Sequence, residues 1–156
     1  MPHSIRFTMV LLAACVVFPS ADAQTSLGSN LEMTLLPGFV HKPLQGIDSI
    51  VGRITKAGRL TITYDIGGVT PPGAPRFGGS YSNRVERYPA NQTLWKQKQT
   101  IDGHDVHIVQ TKSKQLMASI AFKKLGINIS TKAETAQDVA DFLLMVMTIR
   151  EKKKGK

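Results

Sequence analysis

The sequence predicts an α+β domain: an antiparallel β-sheet, a meander of about five to seven strands, packed against a C-terminal amphipathic α-helix. Three observations lead there. "IDSIVGRITKAGRLTITYDIG" holds two alternating, β-rich runs around a glycine turn. "TLWKQKQTI" and "HDVHIVQTK" flank Asp102-Gly103, a strong hairpin signal. "TKAETAQDVADFLLMVMTIR" then switches to helical spacing. No helical stretch separates the strands, which argues against βαβ units.

The chain opens as a secretory signal would. "MPHSIRFTMVLLAACVVFPSADAQ" has Arg6, then an apolar run from Phe7 to Phe18, then Ala21-Asp22-Ala23 before Gln24. That order predicts residues 1–23 as a cleaved signal peptide, with the cut after Ala23 and export to the periplasm or medium. The apolar run is shorter than the roughly 20 residues a membrane span requires, so the mature chain is expected to carry no transmembrane segment. A second reading takes Leu12 to Cys15 as a lipobox, giving a lipoprotein anchored at Cys15. Against it, the apolar run continues through Val16, Val17 and Phe18. Cys15 is the single cysteine. Without it the mature chain has no disulfide, thiol nucleophile or thiolate metal site.

Residues 24–30 are polar and read as a flexible lead-in to a single domain over residues 31–150. "LEMTLL" alternates Leu31, Met33 and Leu35 against Glu32 and Thr34, a half-buried strand ended by Pro37 and Gly38. In the first hairpin, a loop of Lys56, Ala57 and Gly58 puts glycine where a left-handed residue is required. This register sets Ile54 against Leu60, Gly52 against Ile62 and Ile50 against Tyr64 on an apolar face. The polar face then pairs Arg53 with Thr61, Val51 with Thr63 and Ser49 with Asp65. Further strand-like runs, "LMASIAFKK" and "INISTK", follow the second hairpin. In the helix, Thr131 and Glu134 have capping-box spacing. Ala136, Val139, Ala140, Leu143 and Met147 form the apolar stripe, widened by Phe142, Val146 and Ile149. Gln137, Asp138 and Asp141 lie opposite.

The formal charge is +9, and the basic tail at residues 151–156 supplies part of it. Such a charge favours an anionic envelope polymer, lipid headgroup or acidic protein as partner. Export argues against nucleic acid. Metal sites are disfavoured: His104 and His107 are three apart on a strand and point to opposite faces, and no other ligand set completes them. The glycines at 67, 68, 73, 78 and 79 match no phosphate-binding spacing. No cofactor is implied. No G-x-S-x-G elbow marks a serine nucleophile.

The stretch "YDIGGVTPPGAPRFGGSYSNRVERY" opens a connection from Gly67 to about Asn91, far longer than the usual ~4–6 residues. It carries Arg76, Arg84 and Arg87, whose guanidinium forks suit carboxylate and phosphate oxygens, together with Tyr81 and Tyr88. These five residues are the candidate ligand-binding set. Ser49 and Asp65 form a candidate polar-face pair.

"GIDSIVGRI", "LTITYDIGG" and "AQDVADFLLMVMTIR" together resemble a group of small exported bacterial proteins without an assigned function. There, a strand of the "DS…G.I" type pairs with a "YDIG" strand and an "ADFLL" helix closes the domain. More distantly the layout resembles the PsbP-like sandwich, a sheet with helices that is non-enzymatic in several members. The resemblance implies a layout and carries no activity. The expectation is an exported, non-enzymatic binding or accessory domain for an anionic partner. The alternative is a small envelope hydrolase using Ser49 and Asp65 with a histidine.

Overall fold

The computed structural model describes residues 23–28, 30–70 and 80–152. The signal region, Cys15, Arg76 and the last four tail residues lie outside the described residues. In chain order the elements are β1 (Ala23–Gly28), β2 (Leu31–Leu35), β3 (Phe39–Leu44), β4 (Ile50–Lys56), β5 (Leu60–Gly68), β6 (Thr93–Ile101), β7 (His104–Thr111), β8 (Gln115–Ala121), β9 (Leu125–Lys132), α1 (Ala136–Val146) and β10 (Arg150–Glu151). The α+β class holds: mostly antiparallel sheet with one C-terminal helix.

The strands form a three-stranded sheet, order β1-β2-β10, and a seven-stranded sheet, order β3-β4-β5-β9-β8-β7-β6. The core lies between the inner face of the large sheet and a cover made of the small sheet and α1. Leu31, Met33 and Leu35 of β2 and Phe142, Met145 and Val146 of α1 meet Ile54, Ile62, Ile127 and Ile129 there. Each such side chain, once buried, contributes about 1.5–3 kcal/mol. Tyr64 is also buried on this face; its hydroxyl donates to the Leu27 carbonyl (2.9 Å) and meets His41 Nε2 (2.8 Å). Since the phenol proton goes to Leu27, His41 Nε2 carries the proton of the second bond. Burial pushes the Tyr64 phenol up to about 12 and lowers His41.

Several expectations are corrected. Residues 24–30 are not all a loose lead-in: β1 pairs antiparallel with β2, from Ala23 opposite Leu35 to Gly28 opposite Leu31. The segment's polarity does not prevent this, because ladder hydrogen bonds come from the backbone. The tail likewise begins inside a strand, since β10 pairs with β2 and Lys152 N donates to the Asn30 carbonyl at 2.6 Å. Phe39–Leu44 adds an edge strand whose Pro43 hides it from pattern reading.

The first hairpin keeps its faces but slips by two residues. Ile54 faces Ile62, Gly52 faces Tyr64, and Asp65 faces Val51 rather than Ser49. Lys56 pairs with Leu60, so the three-residue loop is Ala57-Gly58-Arg59. Gly58 still takes the left-handed conformation, φ +67°. The slip frees Arg59 for a distant partnership: its Nε donates to Asp138 Oδ1 at 3.0 Å and an Nη donates to Asp141 Oδ2 at 2.7 Å.

That pairing also corrects part of the helix stripe: Phe142, Val146 and Ile149 are buried as expected, with Val139, Leu143 and Met147 packed against the core. Asp138 and Asp141 are buried, whereas Ala136, Ala140 and Leu144 are exposed and Leu143 is only half-buried. Thr131 is a β9 residue, and the cap is Thr135 instead. Its hydroxyl accepts from Asp138 N at 3.1 Å while Asp138 Oδ2 accepts from Thr135 N at 2.9 Å. Burial opposes the Asp138 charge. The Thr135 hydrogen bonds and the Arg59 guanidinium outweigh it and hold the carboxyl below its ordinary range.

The Asp102-Gly103 hairpin forms as read, with Ile101 opposite His104 and both turn residues at positive φ (50° and 79°). Among the described residues no helix is long and apolar enough to cross a membrane.

Candidate functional site

The order of the large sheet explains why the connection must cross it. β5 and β6 are consecutive in sequence but stand four places apart, with β9, β8 and β7 between them. At roughly 4.8 Å per strand the chain must travel about 19 Å to reach the far edge. It does so across the outer face, the one opposite the core, and its residues 80–92 form a belt there.

The belt is fixed by polar sockets on β8 and β9. Ser119 Oγ donates to Asn128 Oδ1 at 2.6 Å. Asn128 Nδ2 donates to the Ser82 carbonyl at 3.1 Å, and Arg84 N donates to Asn128 Oδ1 at 3.4 Å. Val85 N donates to Ser119 Oγ at 3.4 Å, and Val85 itself is fully buried. Lys96 on β6 reaches back to the Glu86 carbonyl at 2.8 Å. Tyr81 lies flat on Gly126 of β9, where a Cβ would collide with its ring. Its hydroxyl is buried without a hydrogen-bond partner among the described residues. Burial pushes this phenol up to about 12, with nearby Ser119 opposing and Glu86 adding.

Beside the belt the described residues leave the outer face open. A depression of about 100 Å³ is lined there by Thr63, Asp65, Arg84, Met117, Asn128 and Ser130, with Ser119 behind them. The strand register puts one row across the face: Lys42, Arg53, Thr63, Ser130 and Met117 stand directly opposite one another in turn. Lys42 and Arg53 are exposed. Thr63 and Ser130 hydroxyls meet at 3.3 Å. At the depression's edge Arg84 donates to Asp65 Oδ2 at 2.8 Å; the Arg84 side chain is 62% exposed.

The five candidate binding residues are therefore not one cluster. Arg76 lies outside the described residues. Arg84 borders the depression. Arg87, exposed, lines a separate cleft of about 220 Å³ with Thr70, Tyr81 and Glu86. Tyr81 is spent on packing against Gly126. Tyr88 is half-buried, its hydroxyl donating to Gln92 Oε1 at 3.4 Å. The Ser49–Asp65 pair is absent: Ser49 precedes β4 in a bend and lines another cavity with Ile47 and Gly68. Among the described residues no histidine stands near both. His41 is held by Tyr64, His104 packs on Phe122 with ring centroids 4.6 Å apart, and His107 faces Lys98 and Ser119.

Sequence reasoning missed Asn128, Ser119 and Ser130 as site residues. Their two strands were legible, and the outward polar positions were the available signal. Arg53 was correctly placed on the polar face.

The chain matches no known protein family, and no curated protein sequence matches it significantly. Among solved structures it is similar to cyanobacterial PsbP (CyanoP) from Synechocystis sp. PCC 6803, with a TM-score of 0.55 and 12% identity over 90% of this chain and 98% of that one. The fold is PsbP-like. At this identity the PsbP-like likeness speaks for the fold alone, and the residues of the depression must be judged by their own chemistry.

Proposed function

We propose that this protein is an exported, non-enzymatic binding or accessory domain that engages an anionic envelope partner through its outer sheet face. The observation that carries the reading is Arg84 at the edge of an open depression whose lining includes a single acid, Asp65, with Arg53 and then Lys42 extending the strand row outward from its Thr63. Several other cations of the described chain are matched by carboxylates, as Arg59 is by Asp138 and Asp141, Lys98 by Asp105, and Arg150 by Glu32. Lys42 and Arg53 have no such partner among the described residues. The hydrolase alternative loses its support because Ser49, Asp65 and the histidines stand apart.

The belt arginines remain in the proposal, Arg84 at the depression and Arg76 and Arg87 along the same connection. Their role is bidentate, which lysine cannot reproduce. The test measures affinity for an acidic polymer, poly-glutamate, at low and physiological salt. Replacing Arg53 and Arg84 together by glutamine should weaken binding at both salts. Truncation after Lys152 should mainly flatten the salt dependence. If truncation abolishes binding while the double variant binds like wild type, the tail is the site and the face reading fails. Export is tested by intact mass: the native chain should start at Gln24 without lipid, and a diacylated chain starting at Cys15 would replace this reading with the lipoprotein one.

A further inference from the structure

We infer that the outer-face depression takes one ring of a uronate-bearing polysaccharide, with flanking cations meeting the carboxylates. This rests on the anionic-partner reading above and narrows it to a ligand class.

The decisive residue is Asp65. A site built for bare polyanions gains nothing from a carboxylate in its wall, because like charges repel. A ligand with both carboxylates and hydroxyls uses it well, since an ionised carboxylate is a strong hydroxyl acceptor. Only Oδ2 of Asp65 is engaged by Arg84 among the described hydrogen bonds, which leaves Oδ1 to accept. Thr63 and Ser130 add two hydroxyls, each donor and acceptor at once. Their mutual contact of 3.3 Å is long for an O–H···O bond, so little is lost when a ligand hydroxyl replaces it. Met117, half-buried opposite Ser130, offers the apolar surface that the C–H face of a sugar ring requires.

The cations complete the pattern. Arg53 stands one strand away from Thr63 and Lys42 one strand further, so both extend the row outward from the depression. Arg84 holds the opposite side through a single exposed contact and can turn its remaining donors onto a ligand. The sockets behind, Ser119 and Asn128, are committed to the belt and form a fixed back wall. A cavity of about 100 Å³ suits a ring seated at the surface and is too small for a folded element. A bare polycarboxylate chain such as poly-glutamate lacks the hydroxyls these groups would bind. Phosphate groups lack them too, and Asp65 would repel them.

The experiment uses the mature chain and three probes at physiological salt: alginate oligosaccharides, neutral dextran oligosaccharides and poly-glutamate. Binding is followed by calorimetry and by amide chemical shifts. Alginate should bind best and shift the amides of Thr63, Asp65, Ser130 and Arg84. Thr63→Val with Ser130→Ala keeps the charge and removes the hydroxyls. It should weaken alginate binding about tenfold or more, the scale of lost ligand hydrogen bonds, and weaken poly-glutamate far less. Circular dichroism of the variant confirms that it folds; should it not, Ser130→Ala alone carries the same expectation. If poly-glutamate binds as tightly as alginate and the hydroxyl variants bind both like wild type, the sugar inference is wrong and the anion reading stands. If no acidic probe binds, both fall.

Discussion

Removing one carboxylate, Asp138→Ala, should be among the more damaging single substitutions on the helix, although an amphipathic reading places Asp138 on the solvent side. The Asp138 side chain is 3% exposed and accepts three hydrogen bonds, from Arg59 Nε at 3.0 Å, Thr135 N at 2.9 Å and Glu134 N at 3.1 Å. Alanine loses its half of the helix cap, about 1 kcal/mol. It also breaks a partly buried ion pair, where a fully buried break would cost about 3–5 kcal/mol. The cost here is smaller because the Arg59 side chain is 31% exposed and keeps Asp141 at 2.7 Å. We therefore expect a loss of about 2–3 kcal/mol, or a fall in Tm of roughly 6–15 °C for a domain of this size. Urea unfolding followed by circular dichroism measures it, with an unchanged slope as the sign that the folded state is the one affected. Leu144→Ala, at a side chain 56% exposed on the same helix, is the control and should cost under about 0.5 kcal/mol. Equal small losses in both variants would mean that α1 is not anchored through Arg59.

Acid should weaken the same corner of the molecule. Lys114 and then Lys132 hold Glu134 at about 2, and Asp138 is also depressed, so both carboxylates contribute stability above their unfolded values of 4.5 and 3.8. That stability is lost as pH falls through the folded values, and urea midpoints between pH 6 and 2 should drop mainly below 4.5; a flat profile would contradict it. Gly126→Ala forces Tyr81 off the sheet, so it should destabilise by about 1–3 kcal/mol and speed hydrogen exchange at Val85; unchanged exchange would show that the belt does not depend on that contact. Replacing Arg76, Arg84 and Arg87 together by lysine should weaken acidic-polymer binding at constant charge, as affinity titration would reveal, and wild-type affinity would rule out a fork geometry.

Much of the architecture was legible because burial on one face imposes a period of two, and the turn glycines mark where it restarts. Most of what failed was decided by a partner far along the chain. The β4–β5 register slipped by two residues because Arg59 prefers Asp138 and Asp141, 79 and 82 residues away, to a place in the ladder. The same pairing buried two helix acids that a local stripe assigns to water. β1 was missed because its residues are polar and its strand state comes from β2. In the candidate site, Arg84 and Asp65 were visible as residues, but their meeting depends on the belt crossing the outer face. The roles of Ser119 and Asn128 depend on it too, and no local pattern records a crossing.

That crossing also orders events in time. The β3–β4–β5 and β6–β9 segments are each joined by short turns and can form from local contacts, whereas Ile62 opposite Thr131 requires a long loop to close. The belt's sockets sit on β8 and β9, but Tyr81 N donates to the Gly68 carbonyl and Arg84 to Asp65, both on β5, so the belt is fully seated only once β9 has joined β5. We expect its contacts to arise after the main barrier. Weakening them should then accelerate unfolding while leaving the folding rate nearly unchanged. The lifetime of the folded molecule, more than its speed of assembly, would be set by residues 80–92.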